Sequence, residues 1–176
     1  MTKILVIGIA GRMGKTIAAC IEDTDGVELG GGTEQGGSLN LEKDIGEVAG
    51  IGIKGVTVSD NLTTALENCN VVIDFTTPES SLQTLKVCAE QGSAVVVGTT
   101  GFSPEQREEI EQIGKTIPCV VAPNMSIGVN VLFKHRAIVA LELIKDIHDA
   151  AFSTALELLK ERAPREFQKS KEFLEE

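Results

Sequence analysis

Aromatic residues are scarce in this chain of 176 residues, which has no tryptophan, no tyrosine and only six phenylalanines. Hydrophobic residues still make up 42% of it, so we expect an aliphatic core large enough for one domain. The apolar run at 4–9 is too short for a secretory signal and leads into glycines instead of a cleavage site. No run approaches the roughly 20 residues of a membrane span. We therefore expect a cytoplasmic protein with no membrane partner.

Closely spaced cysteine pairs are also absent. The four cysteines are spread along the chain without a CxxC pair, at Cys20, Cys69, Cys88 and Cys119. This spacing leaves a metal site or a disulfide open, but it favours buried free thiols in a reducing compartment. We predict no metal site.

Positive charge is lacking too, because the net charge is −10 at pH 7. Residues 1–133 carry 8 basic and 17 acidic side chains, whereas residues 134–176 carry 8 and 9. Such an acidic body cannot neutralise the phosphates of a nucleic acid, so we expect no nucleic-acid partner. A small phosphorylated ligand is still allowed, because backbone amides and a helix terminus bind phosphate locally.

What the chain does contain is the glycine-spaced segment GIAGRMG at 8–14, directly after the apolar run ILVI. The first glycine permits a sharp turn, the second lets backbone N–H groups approach phosphate, and the third allows a helix to pack closely on the strand. The positive end of that helix also attracts an anion. The segment predicts a site for the pyrophosphate of a dinucleotide, formed by Gly8, Gly11, Arg12, Met13 and Gly14.

Strands and helices are predicted to alternate along the chain. The expected strands are Lys3–Gly8, Val27–Thr33, Val71–Asp74, Ala94–Val97 and Ile117–Ala122, together with a short strand or extended piece at Val56–Val58. The expected helices are Met13–Asp23, a segment from the cap Asp60 through Glu67, Pro78–Gln91, and Pro104–Lys115 with Ser103 as its N-cap. Residues 34–55 are expected to form a glycine-rich loop. Continuous apolar strands are typical of a parallel sheet covered on both faces, so we predict an α/β, doubly wound, mainly parallel Rossmann-type sheet.

The composition changes after Asn130. Residues 131–159 are rich in alanine, leucine, isoleucine, lysine and glutamate, and they contain no proline or glycine. We therefore predict a dinucleotide-binding domain at 1–130 and a helical C-terminal extension at 131–176 that packs on or beside it.

Polar segments follow the predicted strands, and parallel strands direct their carboxyl ends to one ligand crevice. Glu34 lies 20 residues beyond Gly14, where an acid accepts hydrogen bonds from the ribose hydroxyls of a dinucleotide. The next residue, Gln35, offers no cation to a 2′-phosphate, so NAD is slightly favoured over NADP. Three further segments end strands: DFTTP at 74–78, in which Thr77 or Thr76 caps a helix, GTTG at 98–101, and APNMSIGVN at 122–130.

These motifs together resemble the dihydrodipicolinate reductases, which belong to bacterial lysine and diaminopimelate synthesis. The matching pieces, in the family's order, are GIAGRMG at 8–14, Glu34, IDFTTPES at 73–80, VGTTGF at 97–102 and APNMSIGVN at 122–130. The resemblance covers about residues 1–133 and implies a Rossmann domain that binds NAD(H) or NADP(H). It implies further cofactor contacts at Phe75, Thr76, Gly98, Thr99, Thr100, Ala122, Asn124 and Met125.

The second part of the chain departs from the family, whose members carry a substrate block of the form E-HHxxK-x-DAPSGTAL. In an ungapped match over residues 142–156, the two histidines fall on Leu143 and Ile144 and the lysine on Ile147. Leucine and isoleucine cannot donate a proton or bind a carboxylate. His148 is interpreted as a helix-surface residue, and we assign no catalytic residue.

Two functions therefore stay open. One is a dinucleotide-binding domain whose substrate-side catalysis is lost, which we favour. The alternative is a fully active NAD(P)H-dependent reductase for a dihydrodipicolinate-type substrate, acting either alone or with a partner that supplies the substrate site. A homo-oligomer is compatible with either.

Overall fold

The computed structural model describes residues 1–126 and 129–130. Five strands and five helices alternate within that part of the chain. The strands are β1 (Thr2–Ile7), β2 (Val27–Thr33), β3 (Val71–Asp74), β4 (Ala94–Val97) and β5 (Cys119–Val121). The helices are α1 (Arg12–Glu22), α2 (Ile45–Ala49), α3 (Leu62–Leu66), α4 (Pro78–Gln91) and α5 (Pro104–Ile113).

The five strands form one sheet in the order β2-β1-β3-β4-β5, and every adjacent pair is parallel. From β1 the chain first passes to β2 on one side and then crosses to β3 on the other. Such a reversal leaves a crevice at the carboxyl ends of the strands, where α/β proteins bind ligands. The predicted doubly wound parallel sheet is confirmed.

Helices cover both faces of the sheet, and β1 shows why its sequence is continuously apolar. Ile4 and Val6 point into a cluster with Ile21 of α1, whereas Leu5 points into a second cluster with Leu85 of α4. Both faces of the strand are therefore buried, as expected for a parallel sheet. The buried members of both clusters are aliphatic side chains and one cysteine, in keeping with the scarcity of aromatic residues.

The structure corrects the prediction that residues 34–55 form only a loop, because α2 lies within them. Asp44 is its N-cap, and Gly50 ends it in the left-handed conformation, with φ at +82°. A helix of 5 residues is too short for its periodicity to be recognised, and Gly46 within it further weakens the helical signal.

Smaller differences concern the ends of elements. Of the two forms expected for 56–58, the regular strand is not formed, and the piece contributes an isolated bridge between Asp44 and Thr57. The cap of α3 is Asn61, whose side chain accepts a hydrogen bond from the Thr64 N–H, and not Asp60. The last strand, β5, is shorter than the predicted 117–122. The caps Thr77 and Ser103 lie where they were expected.

Asp44 holds the whole 44–55 segment through its carboxylate. Oδ1 accepts hydrogen bonds from the N–H of Gly46 at 2.8 Å and from the N–H of Glu47 at 3.2 Å. The Lys54 N–H also donates to Oδ1, at 3.0 Å, and the Gly55 N–H donates to Oδ2 at 2.6 Å. The Lys54 N–H lowers the pKa of Asp44 most, and the other three lower it further. The charged form is therefore favoured by folding.

We expect the contribution of Asp44 to stability to be lost in acid. Its pKa is lower in the folded than in the unfolded chain, so the contribution is complete above the unfolded value and disappears as the pH falls through the folded one. Asp44→Ala should lower the melting temperature at pH 7, and the difference from the wild type should shrink below about pH 4. Thermal unfolding followed by circular dichroism measures this. Asp25→Ala, at an exposed acid, is the control; a difference that stays constant with pH would contradict the role of the charge.

The four cysteines are free, but they are not all buried as expected. Cys88 is fully buried, Cys69 and Cys119 are partly buried, and Cys20 is exposed on α1. Burial, assisted by the negative charge of Asp74, raises the pKa of the Cys88 thiol to about 12. Within the described residues, no helix combines the length and apolar character needed to cross a membrane.

The contacts of the chain divide it into two units, Met1–Met125 and Ser126–Glu176. The first contains the whole sheet. The helical extension predicted at 131–176, together with Leu143, Ile144, Ile147 and His148, lies outside the described residues and stays a prediction.

Candidate functional site

The glycine turn joins β1 to α1 at the crevice, and each glycine has a separate structural reason. Gly8 has a φ of +67°, which only glycine adopts readily. A Cβ on Gly11 would lie 3.1 Å from the carbonyl oxygen of Gly8. A Cβ on Gly14 would lie 2.8 Å from the Cα of Ile9 and closer still to the Gly8 oxygen. The turn and the helix therefore touch backbone to backbone.

The N-terminus of α1 presents backbone amide groups without a capping side chain. Gly11 is its N-cap and has no side chain to accept a hydrogen bond, and the first turn contains no acidic residue. The first intrahelical bond runs from Lys15 N to Gly11 O, so the N–H groups of residues 12–14 precede it. Amide groups at such a helix end, with its positive dipole, are a general phosphate site.

Glu34 lies just beyond the end of β2 and contacts the glycine turn directly. Its Oε1 accepts a hydrogen bond of 2.8 Å from Ala10 N, in the middle of the turn. The Glu34 backbone N–H donates to Ser59 O at 3.0 Å, which holds the residue in place. Sequence spacing predicted an acid at this position, but not its bond to the turn, because Ala10 and Glu34 are 24 residues apart.

A cavity of about 370 Å³ opens beside these residues, beyond the ends of β1, β2 and β3. It brings together Gly8, Glu34 and Thr76, which were predicted as site residues. Residues that sequence reasoning did not select also line it, among them Asp60, Ser80 and Gln83. No sequence motif marks these three residues, because they lie at helix starts and on helix surfaces of ordinary composition.

The remaining predicted residues follow β3, β4 and β5. Gly98 lies under the ring of Phe75, which a Cβ at position 98 would overlap. Thr99 and Thr100 line a second cavity of about 820 Å³ between the end of β4 and α5. Ala122 N donates to Val97 O at 3.1 Å, which joins the segment after β5 to β4. Asn124 and Met125 follow in the same segment, and Met125 is exposed.

A parallel sheet with a reversal at β1, a glycine turn into α1 and an acid at the end of β2 define the nicotinamide-dinucleotide-binding class of α/β proteins. Within that class, the family model for the N-terminus of dihydrodipicolinate reductase matches residues 2–125. The chain belongs to this family.

Relatives and solved structures agree with this assignment. A 4-hydroxy-tetrahydrodipicolinate reductase of Geotalea uraniireducens is 45% identical over 164 residues, covering 93% of this chain and 61% of the relative. A second, from Citrifermentans bemidjiense, is 47% identical over 146 residues, covering 83% and 55%. A dipicolinate-bound dihydrodipicolinate reductase from Paenisporosarcina sp. TG-14 has a TM-score of 0.64 at 24% identity, covering 80% of this chain and 54% of that one. This last similarity shows the shared fold.

The chain spans 55–61% of the length of these two relatives. The alignment of 164 residues is longer than the stretch of about 133 over which the motifs alone indicated a resemblance. The similarity therefore continues into the second part of the chain.

Proposed function

We propose that this chain binds NAD(H) in the crevice beyond β1 and β3 and is the cofactor-binding part of a dihydrodipicolinate reductase. The bond from Ala10 N to Glu34 Oε1 is the observation that carries the proposal. It places a carboxylate beside both the phosphate-binding turn and the cavity of about 370 Å³. An adenosine ribose in that cavity would have its hydroxyls within reach of an acceptor, while its pyrophosphate meets the start of α1.

The other contacts are proposed from the positions of their segments. Gly8, Gly11, Arg12, Met13 and Gly14 would hold the pyrophosphate. The nicotinamide half would lie against the segments after β3, β4 and β5, at Phe75, Thr76, Gly98, Thr99, Thr100, Ala122, Asn124 and Met125. When bound, the nicotinamide supplies a hydride, and this chain supplies binding and orientation.

The charge of the adenosine cavity supports NAD over NADP. Its lining residues, all in the described part of the chain, include the two carboxylates Glu34 and Asp60 and no basic side chain. A 2′-phosphate there would meet negative charge without a compensating cation. Gln35, beside Glu34, also lines the cavity and is neutral.

We further propose that the isolated chain lacks substrate-side catalysis, since aliphatic residues occupy the positions of the family's HHxxK block. The alternative is a fully active NAD(P)H-dependent reductase, acting either alone or with a partner that supplies the substrate site. A cytoplasmic location belongs to the same proposal and is supported by the four free thiols.

Two measurements test this function. Titration with NADH, followed by nucleotide fluorescence, should give saturable binding, and no binding at millimolar concentrations would contradict the proposal. A coupled assay with a dihydrodipicolinate-type substrate should give no turnover by the purified chain. Robust turnover would establish the alternative, in which this chain is itself an active reductase.

We expect Glu34→Ala to weaken NADH binding by about tenfold or more, because hydrogen bonds to a charged acceptor contribute roughly 1.5–3 kcal/mol. NADPH binding should fall less, since the substitution also removes a negative charge near the 2′-phosphate. Isothermal titration with both nucleotides measures the two effects. Glu108→Ala, an exposed acid on α5, is the control. Unchanged NADH affinity would refute the ribose contact.

A further inference from the structure

A network of hydrogen-bonded side chains lies beneath the nicotinamide side of the crevice. Asp74, the last residue of β3, is fully buried, and its Oδ1 accepts bonds from Thr76 N at 2.9 Å and from Thr76 Oγ1 at 2.6 Å. Ser81 Oγ, in the first turns of α4, lies 3.4 Å from Thr76 Oγ1 and 2.6 Å from Thr99 Oγ1. The hydrogen-bonded network therefore connects the end of β3, the start of α4 and the end of β4.

The carboxylate fixes the direction of these bonds. Its Oδ1 accepts from the backbone N–H of Thr76, and the Thr76 hydroxyl donates its proton to the same oxygen. Ser81 must then be the donor in its contact with Thr76, and Thr99 must donate to Ser81. All three protons point toward Asp74, which holds each side chain in one orientation.

Packing alone does not explain a carboxylate at this position. Asp74 Oδ2 is buried and has no hydrogen-bond partner among the residues that the structure describes. Val72, a buried residue two positions earlier on β3, belongs with Leu85 and Cys88 to an apolar cluster that does not need an acid. A buried carboxyl oxygen without a partner costs stability, which favours a role for Asp74 other than packing.

We propose that Asp74 and Ser81 are positioning residues for the nicotinamide half of the cofactor site. They touch no cofactor themselves, but they hold Thr76 and Thr99 in the segments after β3 and β4, on which the nicotinamide would lie. Thr76 also lines the adenosine cavity, so selectivity for the nicotinamide half comes through Thr99, which does not line it. This inference rests on the proposed function. The inference goes beyond that function because it assigns the buried residues Asp74 and Ser81 to the nicotinamide half of the dinucleotide and not to the adenosine half.

The test compares NADH with ADP-ribose, which lacks the nicotinamide, by isothermal titration on the full chain. Removing the central hydroxyl in Ser81→Ala should weaken NADH binding about fivefold, as expected for one hydrogen bond, and change ADP-ribose binding by less than about twofold. Ser81→Cys, which keeps the size of the side chain but is a weak hydrogen bonder, should show the same selectivity. It replaces the alanine variant if that variant does not fold.

The matched control is Cys88→Ala. Cys88 is buried on α4, in the apolar cluster that contains Val72 and Leu85. It lies seven residues beyond Ser81 and is not part of the hydrogen-bonded network. It should lower stability without changing the ratio of the two affinities.

The outcomes separate this inference from the proposed function. Equal losses for NADH and ADP-ribose in the Ser81 variants would show a merely structural role and overturn the inference. Ser81 variants that keep the wild-type affinity for both ligands would also overturn the inference. So would a wild-type chain that binds NADH and ADP-ribose equally well. A wild type that binds neither ligand would refute the proposed function itself.

Discussion

Gly14→Ala is expected to weaken NADH binding by about 100-fold or more. It should also lower the stability of the domain, since overpacking costs roughly 1–3 kcal/mol. The added methyl group would overlap the Gly8 carbonyl oxygen and approach the Cα of Ile9 to 2.8 Å. Both are backbone atoms, so a change of rotamer cannot relieve the contact. The start of α1 must move away from the turn, and the amides that would bind pyrophosphate then separate.

Fluorescence titration with NADH measures the first effect, and thermal unfolding measures the second. The control is Gly92→Ala, at the C-cap of α4, where φ is +68° and a Cβ meets no atom within 4 Å. Alanine is strained there, so the control should also lower stability. It lies at the far end of α4 from the crevice and should keep its NADH affinity. If Gly14→Ala binds NADH as the control does, the turn does not form the phosphate site.

Gly98→Ala is expected to weaken NADH binding by about tenfold or more, because a fully packed position is overfilled. A Cβ at position 98 would overlap the ring of Phe75, so the ring must leave its place across the ends of β3 and β4. The proposed nicotinamide surface is then rearranged. ADP-ribose affinity should change less than NADH affinity, since neither Gly98 nor Phe75 lines the adenosine cavity.

The double variant isolates the cause. If the clash with the Phe75 ring explains the loss, Gly98→Ala should cost far less in a Phe75→Ala background, and the two effects should be strongly non-additive. Additive losses would show that Gly98 acts without Phe75. Phe102→Ala in place of Phe75→Ala is the matched control, because Phe102 lines the other cavity near the end of β4 and is not among the atoms nearest to Gly98.

Local signals were sufficient for several elements. Proline at the first position after Thr77 and after Ser103 predicted the starts of α4 and α5, since a cap and its helix are written within four residues of sequence. The helix α2 was missed because its stability depends on Asp44 reaching Lys54 and Gly55, ten and eleven residues away. Asp60 was expected as a cap where Asn61 serves, since both side chains can cap and only the backbone path selects between them.

The sequence by itself determined the parallel sheet, through the alternation of apolar strands with helices along residues 3–122. It also determined the glycine turn and the acid at the end of β2, because these two follow from spacing along one short stretch of chain. Only the tertiary structure decided that Glu34 is bonded to Ala10, that Gly98 lies under Phe75, and that Asp74 is linked through Ser81 to Thr99. These contacts join segments 18 to 24 residues apart, or separate strands. They depend on strand order and register, which local spacing does not encode.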